Sequence, residues 1–279
     1  MSESNERKAI FITGAASGMG RATAELFASK GWLVGALDVD VEGLRTLEKE
    51  LGSDRCWIRY LDVTDKAEYD AAVSEFGAAS GGRLDLLFNN AGIGEGGFFE
   101  DVPHEAAMRV VHVNLIGVLN GIYAALPLLK ATEGSLCFST SSSSATYGMP
   151  NLAVYSATKH AVKGLTEALS IEFERHGIRV ADVLPGLIDT PILTRTPDRS
   201  GLRPEGFRPQ DSAPQEGPFR LMPASSVAEC VWEAYRSDRL HWYVPEEIGA
   251  IDRAKAAGAE AVRDQIRSFT LATPAQGEG

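Results

Sequence analysis

The chain is short of three things that would each announce a particular chemistry. Cysteine is the first: Cys56, Cys137 and Cys230 are the only three in 279 residues, far apart and without CxxC spacing. An odd, scattered set offers no disulfide framework and no thiolate metal site, so these read as reduced core thiols of a cytoplasmic protein. Histidine is the second. Its five residues show no HExxH or other ligand spacing, and no catalytic metal is expected. The third is positive charge, since 27 Lys and Arg stand against 38 Asp and Glu for a formal net charge of -11. Nucleic acid and anionic membrane surfaces both need a positive patch, so neither is an expected partner. No uninterrupted apolar run approaches the length that spans a bilayer. The polar opening MSESNERK has no apolar signal region.

What the chain does have is a rhythm. Seven short apolar runs read as strands: AIFIT from Ala9, WLVGALDV from Trp32, CWIRYLDV from Cys56, LDLLFNNA from Leu84, GSLCFST from Gly134, RVADVLPG from Arg179 and LHWYVP from Leu240. Several are apolar nearly throughout, as strands covered on both faces must be. Helix-length segments such as RATAELFASKG separate them. Repeated β-α alternation implies right-handed crossovers and a parallel sheet. The expected fold class is therefore α/β: a single doubly wound domain of Rossmann type over residues 8–269, with a mostly parallel seven-stranded sheet flanked by helices. Residues 1–7 and 270–279 read as flexible tails. One stretch breaks the rhythm, Ile192 to Pro223, which is interrupted by Pro197, Pro204, Pro209, Pro214 and Pro218. It is too long for a routine loop.

The first strand runs into TGAASGMG, with glycines at Gly14, Gly18 and Gly20. Glycine there permits a tight turn and lets backbone N–H groups approach a pyrophosphate at the next helix's N-terminus. Asp38 closes the second strand, where a carboxylate can accept both adenosine ribose hydroxyls and repel a 2′-phosphate. No basic residue lies within AASGM or directly after Asp38. NAD is expected over NADP.

Further along, YSATK places Tyr155 and Lys159 on one helix face, after the hydroxyl run STSSSSA. TGAASGMG, NNAG at Asn89–Gly92, Asn114 in VNLIG, the serine run, YSATK and PGLIDT at Pro185–Thr190 occur in this order. In that combination the chain resembles the classical short-chain dehydrogenase/reductase family from about Ala9 to Pro245.

The resemblance implies a catalytic set of Asn114, Ser142, Tyr155 and Lys159. Ser142 is selected because the family's serine lies thirteen residues before its tyrosine, with GMP at Gly148–Pro150 in register; Ala145 replaces a usual glycine. It implies cofactor contacts from Gly14, Ser17, Gly18, Met19 and Gly20, and from Asp38, Asp62 and Val63. Asn90, Ala91, Gly92, Tyr155, Lys159, Pro185, Gly186, Ile188 and Thr190 would complete them. Asn114 would support a water chain to the lysine. Substrate would meet Ser142, Tyr147, Met149 and Tyr155, with Ile93 and Phe98 near the same mouth. Helices around Asn114 and Tyr155 would pack on a second subunit, giving a homodimer or homotetramer.

The chemistry agrees with the residue types. Hydride transfer from a carbinol carbon to NAD needs a base for the hydroxyl proton, and a free phenol has a pKa of about 10. Bringing it towards 7 takes about 4 kcal/mol of preferential stabilisation of the anion. A positive charge one helical turn away, joined by oxidised nicotinamide, can supply that in a partly desolvated cleft. The expected activity is interconversion of a secondary alcohol and its ketone. Ile192–Pro223 is expected as a lid whose Leu193, Leu202, Phe207, Phe219, Leu221 and Met222 favour bulky, largely apolar substrates. The competing readings are a catalytically weak NAD-binding sensor or scaffold of the same fold, and a carbonyl reductase working mainly in the reductive direction. A nucleotide-sugar epimerase would have a TGxxGxxG turn and a larger C-terminal region. A serine hydrolase would have a GxSxG elbow, and none occurs.

Overall fold

The structure is a computed structural model that describes residues 7–201 and 213–270. The expected lid residues Leu202, Pro204, Phe207 and Pro209, and the tails before Arg7 and after Thr270, lie outside the described residues. Arg7 itself departs from the tail reading: its guanidinium donates to the Gly31 carbonyl at 3.0 Å and the Trp32 carbonyl at 3.1 Å.

Seven parallel strands make one sheet. They are β1 (Ala9–Thr13), β2 (Leu33–Asp38), β3 (Cys56–Tyr60), β4 (Leu86–Asn89), β5 (Leu136–Thr140), β6 (Arg179–Pro185) and β9 (His241–Val244), and each falls inside one of the seven apolar runs. Their order across the sheet is β3-β2-β1-β4-β5-β6-β9. Alternation sorts their side chains between two cores. Ile10, Ile12, Leu86, Phe88, Leu136 and Phe138 pack with α1 (Gly18–Ser29) and with the later helix α8 (Ala224–Ala234) on one face. Phe11, Leu87, Cys137 and Val180 pack on the other face with α3 (Lys66–Ala79), α5 (Gly117–Ala131) and α6 (Ala153–Glu172). The smaller helices α2 (Val41–Leu51) and α4 (His104–Val111) complete the layers. Cys56 and Cys137 are buried, Cys230 is half-buried, and all three are free thiols.

Strand order reverses between β1 and β4, where the chain leaves in opposite directions and opens a crevice beyond the strands' carboxyl ends. Both sides of that crevice are locked together. Asn90 donates its side-chain amide to the Thr13 carbonyl at 3.0 Å, and the Thr13 hydroxyl accepts from the Asn90 and Ala91 N–H groups at 3.1 Å each.

Two features differ from the sequence reading. The helical run His104–Ala131 is long and apolar enough, by length and composition, to cross a membrane. Counting uninterrupted apolar residues misses it because Asn114 and Asn120 break the run. Both asparagines are buried, and Asn120 donates to the Val63 carbonyl at 2.9 Å, so this is a core helix of the domain. Second, the expected lid begins with a short helix α7 (Ile192–Arg195), and its far end pairs as β8 (Met222–Pro223) with β7 (Ile188–Asp189). Beyond Pro245 the chain continues through α9 (Ile248–Ala257) and α10 (Ala259–Thr270).

Candidate active site

The crevice at the switch point is a cleft of about 320 Å³ that runs from Asp38 to Tyr155. Its floor is the glycine turn. Gly14 has φ +68°, and a Cβ there would lie 3.0 Å from the Ala91 Cα; a Cβ at Gly20 would strike the Gly14 carbonyl oxygen at 2.1 Å. Only bare backbone fits. Ser17 precedes α1 in extended conformation, its side chain does not cap the helix, and the first turn holds no acidic residue. The first N–H groups of α1 therefore face the cleft without a competing carboxylate, as an anion site requires.

Asp38 stands at the cleft's far end. Its carboxylate accepts from the Ala16 and Asp40 N–H groups, both at 3.0 Å, which fixes its orientation. Asp62 and Val63 line the same end, and Asp62 accepts from the Thr64 N–H and hydroxyl at 2.9 and 2.8 Å. Gly14, Ser17, Gly18, Met19, Asn90, Ala91, Gly92 and Thr190 also line this cleft. Gly20 does not; it lets α1 close against the turn. Pro185, Gly186 and Ile188 line a second space instead, a chamber of about 230 Å³ that shares Met19, Thr140, Tyr155 and Thr190 with the cleft.

Tyr155 stands where the two spaces meet. The Ser142 hydroxyl lies beside the Tyr155 phenol, near enough to pull its pKa down. It also accepts from the Ser144 N–H at 3.1 Å, which holds it at the start of the short 3₁₀ turn Ser143–Ala145. Ala145 sits in that turn without a positive φ, so the missing glycine costs no strain. Ser141, which also borders the chamber, donates its hydroxyl to the Lys159 carbonyl at 2.9 Å.

Lys159 is buried, 3% exposed, with its ammonium donating to the Thr140 carbonyl at 2.8 Å and lying 5.6 Å from the centre of the Tyr155 ring. Burial lowers its pKa to about 8. Burial likewise pushes the Tyr155 phenol up, and the Ser142 hydroxyl opposes this only in part. In the protein alone desolvation dominates the phenol, whereas the expected lowering belongs to the state with oxidised nicotinamide beside it.

Asn114 is fully buried in a single wide π turn, His112–Ile116, between α4 and α5. Its side chain accepts from the Ile93 N–H and donates to the Ile93 carbonyl, both at 2.9 Å. It thus clasps the loop after Gly92 like a strand partner. A Cβ at Gly92 would lie 3.4 Å from Asn114 Oδ1 and 3.7 Å from Lys159 Nζ, so this glycine sits between the amide and the ammonium. Tyr147 is the expected residue the structure places elsewhere. It lines a neighbouring groove with Phe98, whereas Met149 lines both groove and chamber, and Ile93 lines the cleft. Sequence reasoning missed the Thr140 carbonyl, Thr196 and Arg195 as cleft residues. A backbone carbonyl has no sequence signal, and the last two belong to the segment that breaks the rhythm.

The sequence profile of the short chain dehydrogenase family matches residues 8–200. The chain belongs to that family of oxidoreductases. It is 35% identical over 196 residues to cyclohexanol dehydrogenase of Acinetobacter sp. (strain SE19), covering 69% of this chain and 78% of that protein. It is 38% identical over 194 residues to a 2,5-dichloro-2,5-cyclohexadiene-1,4-diol dehydrogenase of Sphingobium indicum, covering 68% and 76%. Among solved structures it resembles a short chain dehydrogenase/reductase from Burkholderia phymatum in complex with NAD, with a TM-score of 0.78 and 28% identity, covering 94% of this chain and 96% of that one.

Proposed function

We propose that the protein is an NAD-dependent oxidoreductase that interconverts a secondary alcohol and its ketone, acting on alicyclic or aromatic substrates. The observation that carries this reading is the position of Tyr155, at the junction of the long cleft and an apolar chamber, beside Ser142 and backed by Lys159.

The residues present fit the cofactor. Side-chain-free glycine backbone and the α1 N-terminus suit a pyrophosphate, and Asp38 suits the adenosine ribose. Selectivity against NADP follows from charge. Asp38 would face the 2′-phosphate, and Arg21 on the nearby helix is already engaged by Glu25 and Glu50. NAD, when bound, supplies the hydride acceptor. In the alcohol-to-ketone direction Tyr155 takes the hydroxyl proton while the carbinol C–H pair leaves as hydride, and Ser142 holds the substrate oxygen. Lys159 adds the positive charge that offsets the burial of the phenolate. Asn114 holds the Gly92–Ile93 loop that borders the cleft.

Met149, Leu152, Leu187, Leu193 and Phe219 wall the chamber together with the serines. Part of the expected lid, Ile192, Leu193, Thr196 and Phe219, thus supports the bulky-substrate reading directly. Two relatives named for six-membered-ring alcohols support it as well. Tyr123 and Ile171, 70% and 72% exposed on α5 and α6, support association with a second subunit as a dimer or tetramer.

Steady-state oxidation of 2-propanol and cyclohexanol with each cofactor tests the reading. Three extra carbons at about 0.8 kcal/mol each should favour cyclohexanol by roughly fiftyfold in kcat/KM. NAD should exceed NADP with both. Equal rates with the two cofactors would remove the role given to Asp38, and equal rates with the two alcohols would remove the apolar chamber as the substrate site.

A further inference from the structure

Behind Met149 the chamber gives way to a groove of about 640 Å³. One wall is the loop carrying Tyr147 and Met149, with Phe98 beside it; the other is α10 near the end of the described chain, presenting Arg263, Ile266 and Arg267. Spacing explains the second wall, because positions i, i+3 and i+4 share one helix face. Val262, beside them, is buried and anchors the helix.

The groove's charge runs against that of the molecule. The chain carries 38 acidic residues and 27 basic ones, yet among the described residues the groove is lined by two arginines and by no carboxylate. His160 also lines it. The Lys255 ammonium lies 2.9 Å from His160 Nε2, while His160 Nδ1 lies 2.9 Å from the Ser156 carbonyl. A ring that accepts from the lysine and donates to the carbonyl is neutral, so His160 adds no charge to the groove. Asp264 pairs with Arg263 at 2.9 Å and returns one negative charge at the outer edge. The remainder, one positive charge from two arginines less Asp264, suits a single carboxylate on an apolar body better than a multiply charged phosphate.

We infer that this groove holds the distal end of the substrate, and that this end is a carboxylate joined to the reacting carbinol by an apolar body. The inference deepens the proposed function, and rests on it for the reacting end only. Met149 connects the two ends, since it borders both the chamber at Tyr155 and the groove at Arg263 and Arg267.

The probes are decanoate and decanol, titrated calorimetrically into the full-length protein. Charge-assisted contacts to guanidinium should make decanoate bind about tenfold tighter than decanol. The double substitution Arg263→Gln and Arg267→Gln keeps helix propensity and should abolish that difference, with its melting curve showing an intact fold. Decanoate should also compete with cyclohexanol in turnover. Equal binding of the two probes, an unchanged difference in the folded variant, or inhibition that does not compete with cyclohexanol would each overturn the inference. A chain ended at Thr270 tests the alternative occupant: if it gains decanoate binding that the full chain lacks, residues 271–279 own the groove and the inference falls. The two readings fail separately. Tight, arginine-dependent decanoate binding without any turnover of cyclohexanol would uphold the groove and count against the oxidoreductase.

Discussion

Ser141, Ser142 and Ser143 are chemically identical and one peptide apart, yet the fold gives them different neighbours. Ser142 meets the Tyr155 phenol, whereas Ser141 spends its hydroxyl on the Lys159 carbonyl. Ser142→Ala should therefore lower kcat/KM by about a hundredfold, in the range for removing one positioned donor at a reacting oxygen. Ser141→Ala should act mainly on stability, by about 1 kcal/mol for one buried hydrogen bond. Parallel kinetics and thermal melts of the two variants check this; a larger kinetic loss at Ser141 would place the reacting serine wrongly. Family spacing singles out Ser142 and composition alone does not, since every serine in the run offers the same hydroxyl. The electrostatics of Tyr155 and Lys159 are not legible in the sequence at all. Their i, i+4 spacing suggests a simple charge pair, but burial moves both groups towards neutrality, and burial is a property of the packed molecule.

Elements set the next level of detail. The seven strands are readable because side chains of a doubly covered strand are apolar on both faces, and the structure trims each run to its paired residues. The π turn at His112–Ile116 is not readable, because one extra residue in a helical turn leaves no mark on an apolar pattern. Its consequence is testable. Asn114→Ala would strip partners from both the N–H and the carbonyl of Ile93. A loss of about 2–4 kcal/mol in urea unfolding is expected, together with reduced turnover; an unchanged midpoint would show that the clasp is idle. Strand β6 hides a second surprise in Asp182, a fully buried acid whose neighbour on β9, His241, bonds it at 2.7 Å. Burial pushes its pKa up to about 6, against the pull of His241 and Lys163. A carboxyl that keeps its proton longer when folded stabilises the fold below about pH 4, and that contribution disappears as pH rises through 6. Relative to wild type, Asp182→Asn should therefore gain stability between pH 4 and pH 8, by at most about 3 kcal/mol. Urea midpoints at the two pH values measure it, and a constant difference between the proteins would contradict the assignment.

At the scale of the molecule, the strand-order reversal between β1 and β4 decides where chemistry can happen. Helix α1 brings bare N–H groups to one side of that crevice, β5 brings the serines to the other, and α6 carries Tyr155 and Lys159 across the gap. The glycine turn and the acid at the end of β2 are both more than a hundred residues from the tyrosine along the chain, and only the doubly wound topology makes them neighbours. Helix α10 walls the groove beside the chamber, so the region after Pro245, silent in the motifs, borders it through Arg263, Ile266 and Arg267. Central to all of this is Tyr155 as the group that takes the proton. The most direct measurement is turnover of cyclohexanol with NAD by Tyr155→Phe, beside calorimetric binding of NAD to the same variant. The phenol oxygen is the only heavy atom removed, so turnover should fall by at least about a thousandfold with NAD affinity within about twofold of wild type. Substantial turnover by a variant that binds NAD normally would contradict it.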